Sequence, residues 1–284
     1  MKQAILKAIR SFLKSVKVDY PRYLVLKPLF KLNGEVLNGF TSLNNDRYFI
    51  YNVNGTFLPS DALHWFNNYK KFENWCDNTA LYQYQVKPGD TIIDIGAGIG
   101  EEIIVLSKRI GSTGKVYAIE ANPDVSEVLQ KVKYLNNLNN TEVYNIAIGS
   151  TNGDVELVNA GDSSLGGTIG DVAPSLEDKT YTVKGYRLDT FLEEHNITSI
   201  DLLKCNIEGA ERFVVDSISG AHINKIKNVA IACHDFRYRV DGNEFFRTKE
   251  YVSKFLIDNG FEITSQHTGE GHVDDYVYGI NKNI

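Results

Sequence analysis

The sequence predicts an α/β protein built on a mostly parallel seven-stranded sheet. The sheet ends in a C-terminal antiparallel hairpin and is preceded by an extension over residues 1–85. Three observations predict this. From residue 86 onward, short apolar β-branched runs alternate with segments of helical period. A glycine loop separates the first of these runs from the first helix. Before residue 86 the alternation is missing, and aromatic and Asn residues dominate. Strands and helices alternating at this spacing imply parallel strands covered by helices on both faces.

The bulk numbers agree with a folded α/β chain. It has 284 residues, 43% of them hydrophobic, and a formal net charge of −6. No run approaches the roughly 18 apolar residues that a membrane-spanning helix needs. The mild acidity speaks against nucleic acid as partner. Cys76, Cys205 and Cys233 form no CxxC pair, so a structural zinc site is not expected. So sparse a cysteine content suits a reducing cytoplasm. Lys2, Lys7, Arg10, Lys14 and Lys17 interrupt every stretch that could serve as the apolar core of a signal peptide.

In the extension, residues 4–16 place Ile5, Ile9, Phe12, Leu13 and Val16 at helical spacing, which predicts a basic amphipathic helix. Residues 1–31 carry eight Lys or Arg against one acid, a net of +7, which leaves −13 for the rest of the chain. This asymmetry admits two readings. The helix docks on the main domain or a second subunit, or residues 1–31 make a peripheral contact with an anionic membrane surface. Residues 32–85 read as short strands around 47–51 and 56–58, then a helix from about 61 to 85, forming an aromatic-rich cap.

The main domain, 86–284, reads in order as follows. Strands are expected at Thr91–Ile95, 115–120 and 142–148, with helices to about 109 and over 124–138. Paired strands follow at 154–158 and 181–188, flanking a Gly/Ser/Asp-rich loop expected to act as a mobile lid. Helix 189–195, strand 200–207, helix 209–220, strand 227–233 and helix 246–258 come next. Two last strands, 261–266 and 275–280, complete the sheet.

The motif with most chemistry is Asp94-Ile95-Gly96-Ala97-Gly98-Ile99-Gly100, after a strand and before a helix. Glycines allow a sharp turn and a close approach of ligand, and a helix N-terminus presents free N–H groups. The dinucleotide fingerprint G-x-G-x-x-G would need glycine at 101, where this chain has Glu101. Asp94 would face a pyrophosphate badly but suits an ammonium or sulfonium. Glu120, at the end of the second strand, can accept both hydrogens of a ribose diol. These features favour S-adenosyl-L-methionine over a nicotinamide cofactor.

Beyond the loop, the chain resembles the FkbM-type S-adenosylmethionine-dependent methyltransferases over about residues 86–282. Four segments carry the resemblance: Pro88-Gly89-Asp90 leading into 94–100; Glu120-Ala121-Asn122-Pro123; Asn145-Ile146-Ala147-Ile148-Gly149 with Gly153; and Leu188-Asp189-Thr190 with the run from Asp201 to Glu211. The resemblance implies a Rossmann-like class I methyltransferase fold. It also implies O-methylation of a hydroxyl on a sugar, glycolipid or secondary metabolite. The residues expected at the cofactor are Asp94, Gly96, Ala97, Gly98, Gly100, Glu120, Ala121, Asn122, Asn145 and Ala147. Asn206 stands where the family usually has Asp, which weakens any expectation of a metal ligand or base there.

Methyl transfer needs an acceptor oxygen aligned with the C–S bond and a group to take the hydroxyl proton. In an open α/β sheet such groups lie beyond the carboxyl ends of the strands. His234 is the first candidate for the base, with Asp235 or Glu208 orienting it or binding the acceptor's hydroxyls. A Mg²⁺ site would require Asn206, Glu208, His234 and Asp235 to converge. A protein that binds cofactor without catalysing is the other class compatible with the loop.

Overall fold

The computed structural model describes residues 2–64, 66–159, 168–169 and 179–284. The extension opens with α1 (Lys2–Ser15) and α2 (Asp19–Leu32), followed by β1 (Leu37–Leu43), β2 (Tyr48–Val53), β3 (Thr56–Ser60) and α3 (Tyr69–Asn78). The three strands form an antiparallel meander in the order β1-β2-β3. Asn54 and Gly55 both take left-handed backbone between β2 and β3, as a two-residue hairpin matching strand twist requires. Buried Arg22 on α2 fastens the extension together. Its Nε donates to the Leu13 carbonyl at 2.9 Å, and its two terminal nitrogens grip Asp46 at 2.5 and 2.8 Å.

One expectation for the extension is corrected, and one of its open alternatives is narrowed. The helix expected over 61–85 is confined to α3. It starts where the Asn68 side chain accepts from Lys71 N and ends at Thr79. The apolar stripe of α1 is not free: Leu13 is buried and Ile9 packs against the core, while Phe12 stays exposed. The side chain of Ile5 lies outside the described residues.

The main sheet follows as β4 (Thr91–Ile95), α4 (Glu101–Ile110), β5 (Lys115–Ile119), α5 (Pro123–Leu135) and β6 (Thr141–Tyr144). A smaller sheet takes β7 (Ala147–Ile148), β8 (Gly153–Asn159), β9 (Thr168–Ile169) and β10 (Lys179–Tyr186). The chain then runs through α6 (Leu188–Glu194), β11 (Leu202–Cys205), α7 (Glu211–Asp216), β12 (Asn228–Ala232), α8 (Asp235–Asp241), α9 (Lys249–Asp258), β13 (Phe261–Thr264), α10 (Gly271–Asp274) and β14 (Tyr276–Asn281). The seven strands lie in the order β13-β14-β12-β11-β4-β5-β6, and β14 alone runs against the others. This is the Rossmann-like class I methyltransferase fold with the expected C-terminal hairpin. From β4 the chain builds outward through β5 and β6, then returns to the other side at β11. That reversal opens a crevice at the carboxyl ends of β4 and β11.

The third strand differs from expectation. Residues 142–148 do not form one strand: β6 stays in the main sheet, and β7 pairs with β10 in the order β7-β10-β8-β9. Asn145 makes the break. Its side-chain amide donates to the carbonyls of Glu120 and Ala121, at 2.8 and 2.9 Å. Those bonds tie the chain across the end of β5 rather than extending the ladder. The expected pairing of 154–158 with 181–188 appears as β8 against β10. The lid expected between them lies outside the described residues, apart from the strand segments at 159, 168–169 and 179–180.

Strand periodicity sorts the core onto two faces. Ile93, Ile95, Leu203, Cys205, Val229 and Ile231 face α6, α7 and α9. Ile92, Leu202, Ala230, Tyr276 and Tyr278 face α4 and the extension, in one cluster that also holds Leu13, Phe30, Tyr51 and Phe72. Asp94 and Lys204 alternate with the first set and therefore lie on this second face. Among the described residues, no helix is long and apolar enough to cross a membrane.

Candidate functional site

The glycine loop owes its path to contacts on both sides. Gly96 N and Ala97 N donate to the Ile119 carbonyl at 2.9 and 3.0 Å, holding the loop against the end of β5. A Cβ on Gly96, whose φ is +75°, would lie 2.0 Å from the Asn206 carbonyl oxygen, so the approach to the segment after β11 excludes any side chain. Gly100 has a packing role. A Cβ there would meet Leu129 at 2.9 Å, so this glycine lets α4 pack on α5.

Glu120 joins the loop to β5. Its Oε2 accepts from Gly98 N at 3.0 Å and its Oε1 from Asn122 N at 2.8 Å. Burial pushes its carboxyl up to about 7, against the pull of those two N–H groups. Asn122 caps α5 through Asp124 N at 3.0 Å. Asn145, as shown above, secures the backbone of Glu120 and Ala121.

Two hollows meet at this point. An apolar slot is walled by Ile119, Ala121, Ile146, Ala147, Leu157 and Ile207. A polar chamber is lined by Ala97, Gly98, Glu101, Glu102 and Lys204. Both are bounded by Gly96, Glu120, Asn206 and Glu208. Next to the chamber, and sharing Trp75, Glu101 and Glu102 with it, is a cleft reaching Asp61, His64, Asn67 and Lys71. The extension thus forms part of the site. Burial, with Asp61 and Glu102 beside it, raises Glu101 to about 7.

Asp94 is not open to a ligand as expected. It is fully buried, and Lys204 Nζ lies 2.8 Å from its Oδ1, across the β4–β11 pairing that sets these two residues side by side. Lys204 also pairs with Glu102 at 2.6 Å and donates to the Gly96 carbonyl at 3.0 Å. Burial opposes the lysine's charge, yet Asp94 and Glu102 hold it well above the usual lysine range. Burial likewise raises Asp94, to about 6. The cation at Asp94 is therefore one of the protein's own, and the carboxylates facing the chamber are Glu101, Glu102, Glu120 and Glu208.

The three candidates for acid–base work part company. His234 is buried, with Nδ1 2.7 Å from Glu211 Oε1 and Nε2 3.7 Å from Glu208 Oε1. Burial opposes its charge, but Glu211 and then Glu208 outweigh it and raise the imidazole above its ordinary value. Glu211 also accepts from Thr248 Oγ1 at 2.9 Å and from Gly209 N at 3.0 Å. The orienting contact to His234 thus comes from Glu211 rather than Asp235. Asp235 instead accepts from Thr248 N and Lys249 N, at 3.0 and 2.9 Å, at the start of α9. Glu208 does reach the site: it borders the slot and the chamber, and its Oε2 pairs with Arg237 at 2.5 Å. Its φ of +55° is costly for a residue with a side chain, and such conformations cluster at functional sites. Asn206, Glu208, His234 and Asp235 do not converge, and among the described residues no three His, Cys, Asp or Glu gather as a metal site.

Lys204, Glu211, Glu102 and Trp75 are the residues that sequence reasoning passed over. Period-two alternation on β11 places Lys204 on the Asp94 side of the sheet, a signal present in the sequence. Glu211 stands in the same run as Glu208, from Asp201 to Glu211, but carried no sign of its partner.

The family model for the FkbM methyltransferase domain matches residues 94–263, from the glycine loop to the last parallel strand. The chain belongs to the FkbM methyltransferase family. This family member is also 38% identical over 45 residues to the 2-phytyl-1,4-naphtoquinone methyltransferase of Trichormus variabilis, which covers 16% of this chain and 20% of that protein. A crystal structure of an FkbM methyltransferase from Methylobacillus flagellatus is 17% identical, with a TM-score of 0.44, over 70% of this chain and 45% of that one. Aeropyrum pernix fibrillarin with natively bound S-adenosyl-L-methionine is 14% identical, with a TM-score of 0.43, over 86% and 99%. The FkbM-family chain therefore spans a fifth of the curated relative and less than half of the first of these structures.

Proposed function

We propose that this FkbM-family chain transfers the methyl group of S-adenosyl-L-methionine to a hydroxyl of a small acceptor such as a sugar, glycolipid or secondary metabolite. The observation that carries the reading is the placing of Glu120 between an apolar slot and a polar chamber under a glycine loop. The slot suits a flat adenine, the carboxylate of Glu120 suits a ribose diol, and Glu101 and Glu102 suit an ammonium group. When bound, the cosubstrate supplies a methyl group already activated by a sulfonium.

The chain's own residues then have two tasks. They must exclude water while holding the acceptor oxygen in line, and they must receive its proton as the C–O bond forms and the C–S bond breaks. Glu208 is the residue placed for the second task. His234, with Nδ1 2.7 Å from Glu211 and Nε2 3.7 Å from Glu208, keeps the Glu208 segment in position. The cleft bounded by Asp61, His64 and Lys71 gives an acceptor its way in. The acceptor class rests on family likeness, and the site adds only that the acceptor meets carboxylates and Trp75.

Calorimetry tests the cofactor. S-adenosylhomocysteine should bind and NAD should not. Micromolar NAD binding, with no response to S-adenosylhomocysteine, would sink the assignment. Cofactor binding without transfer to any hydroxyl acceptor would leave a binding protein in place of an enzyme.

A further inference from the structure

Helix α2 is apolar on two opposite sides. Its inner side carries Arg22, Leu26 and Phe30, all buried. Its outer side carries Tyr20, Leu24, Pro28 and Leu32, spaced by one turn each and all exposed. Tyr20 is 68% exposed, Leu24 52% and Leu32 83%. Isolated exposed leucines are ordinary, but a continuous apolar ridge along four turns of a surface helix marks a contact surface.

The charges on the same side indicate what that surface meets. Lys27 and Lys31 follow Leu24 by three and seven residues, which places both on the outer arc with the ridge, and both are exposed. Among the described residues neither forms an ion pair with a carboxylate; Lys27 Nζ lies 5.4 Å from the Tyr23 ring centre. Exposed Lys7 and Lys14 on α1 add to the charge of this end. Residues 1–31 carry +7 on a chain whose remainder carries −13. A second copy of this chain would oppose lysine to lysine across a two-fold contact. An anionic bilayer satisfies both features: acyl chains cover the ridge, and headgroups meet the lysines.

We infer that the outer face of α2 docks on an anionic lipid surface. This moves the contact from the α1 stripe, whose Leu13 is committed to the core, to a ridge whose Leu24 and Leu32 are exposed. The inference does not depend on the proposed chemistry.

Vesicle sedimentation tests it on the full chain without any activity assay. Wild-type protein should bind phosphatidylcholine vesicles containing phosphatidylserine at low salt. Binding to vesicles of phosphatidylcholine alone should be at least about tenfold weaker, since each basic residue near the surface contributes roughly a fivefold gain. High salt should release the protein. The pair L24S/L32S and the pair K27E/K31E should each weaken binding at least about tenfold, with unchanged thermal midpoints because all four positions are exposed. The inference is overturned if wild type ignores anionic vesicles at low salt, or binds neutral ones equally well. It is also overturned if either pair binds like wild type. Concentration-dependent dimerisation that L24S/L32S abolishes, without vesicle binding, would assign the ridge to a second copy.

Discussion

Glu120 meets two demands that pull its protonation in opposite directions. Burial favours the neutral acid, raising the carboxyl from 4.5 to about 7. A ribose diol needs the ionised form, which accepts both hydroxyl hydrogens. Affinity for S-adenosylhomocysteine should therefore rise with pH through about 7, by at most roughly tenfold per unit below that value. Calorimetry across this range checks it, and Glu120→Gln should flatten the profile. Glu120→Ala should weaken binding by roughly 1.5–3 kcal/mol. Glu208 and Glu211 separate by outcome in the same way. Glu208→Gln should lower turnover by roughly 10²–10⁴-fold, with cofactor affinity and fold retained. Glu211→Ala removes the buried carboxylate that His234, Thr248 and Gly209 share and should cost about 1–3 kcal/mol of stability, read as a lowered unfolding midpoint. If Glu208→Gln turned over at the wild-type rate, the proton acceptor would have to be sought among Glu101 and its neighbours.

At the scale of elements, the loop after β4 depends on one close approach. Gly96→Ala would drive a methyl into the Asn206 carbonyl and strain a left-handed backbone. It should cost roughly 2–4 kcal/mol and abolish cofactor binding. Gly149→Ala is the matched control, since nothing lies within 4 Å of its added Cβ. Chemical denaturation of both variants gives the comparison. The seven-stranded sheet was readable from sequence because buried parallel strands write themselves as β-branched runs. The departures came where polar side chains override the local pattern. Asn145 ends β6 by bonding to carbonyls across the sheet end, and Asn68 delays α3 by capping its first turn. The glycine loop and Glu120 were legible from residue type and position. The pairing of Asp94 with Lys204 and of His234 with Glu211 was not, because each joins residues from different strands and loops that only the folded sheet brings together.

On the scale of the whole molecule, the extension and the sheet share one core. The cluster on the α4 side of the sheet runs without interruption from Leu13, Phe30 and Tyr51 through Phe72 to Ile92, Ile104 and Tyr278. Polar bonds cross the same boundary. Asn136, which caps the C-terminus of α5, donates to the Phe57 carbonyl and accepts from Phe57 N, at 2.8 and 2.9 Å. Tyr278 on β14 donates to the Thr79 carbonyl at 2.8 Å, and Arg109 pairs with Asp77 at 2.5 Å. A chain starting at residue 86 would expose the apolar side of α4 and leave buried Tyr278 without its acceptor. It would also lose Trp75 from the polar chamber. Each large core side chain returned to water costs about 1.5–3 kcal/mol, and losing several exceeds the 5–15 kcal/mol by which typical domains are stable. The expected result is that residues 86–284 alone fail to unfold cooperatively on heating, bind a hydrophobic dye, and do not bind S-adenosylhomocysteine. A sharp calorimetric transition with retained S-adenosylhomocysteine affinity in the shortened chain would show that the sheet stands without the extension.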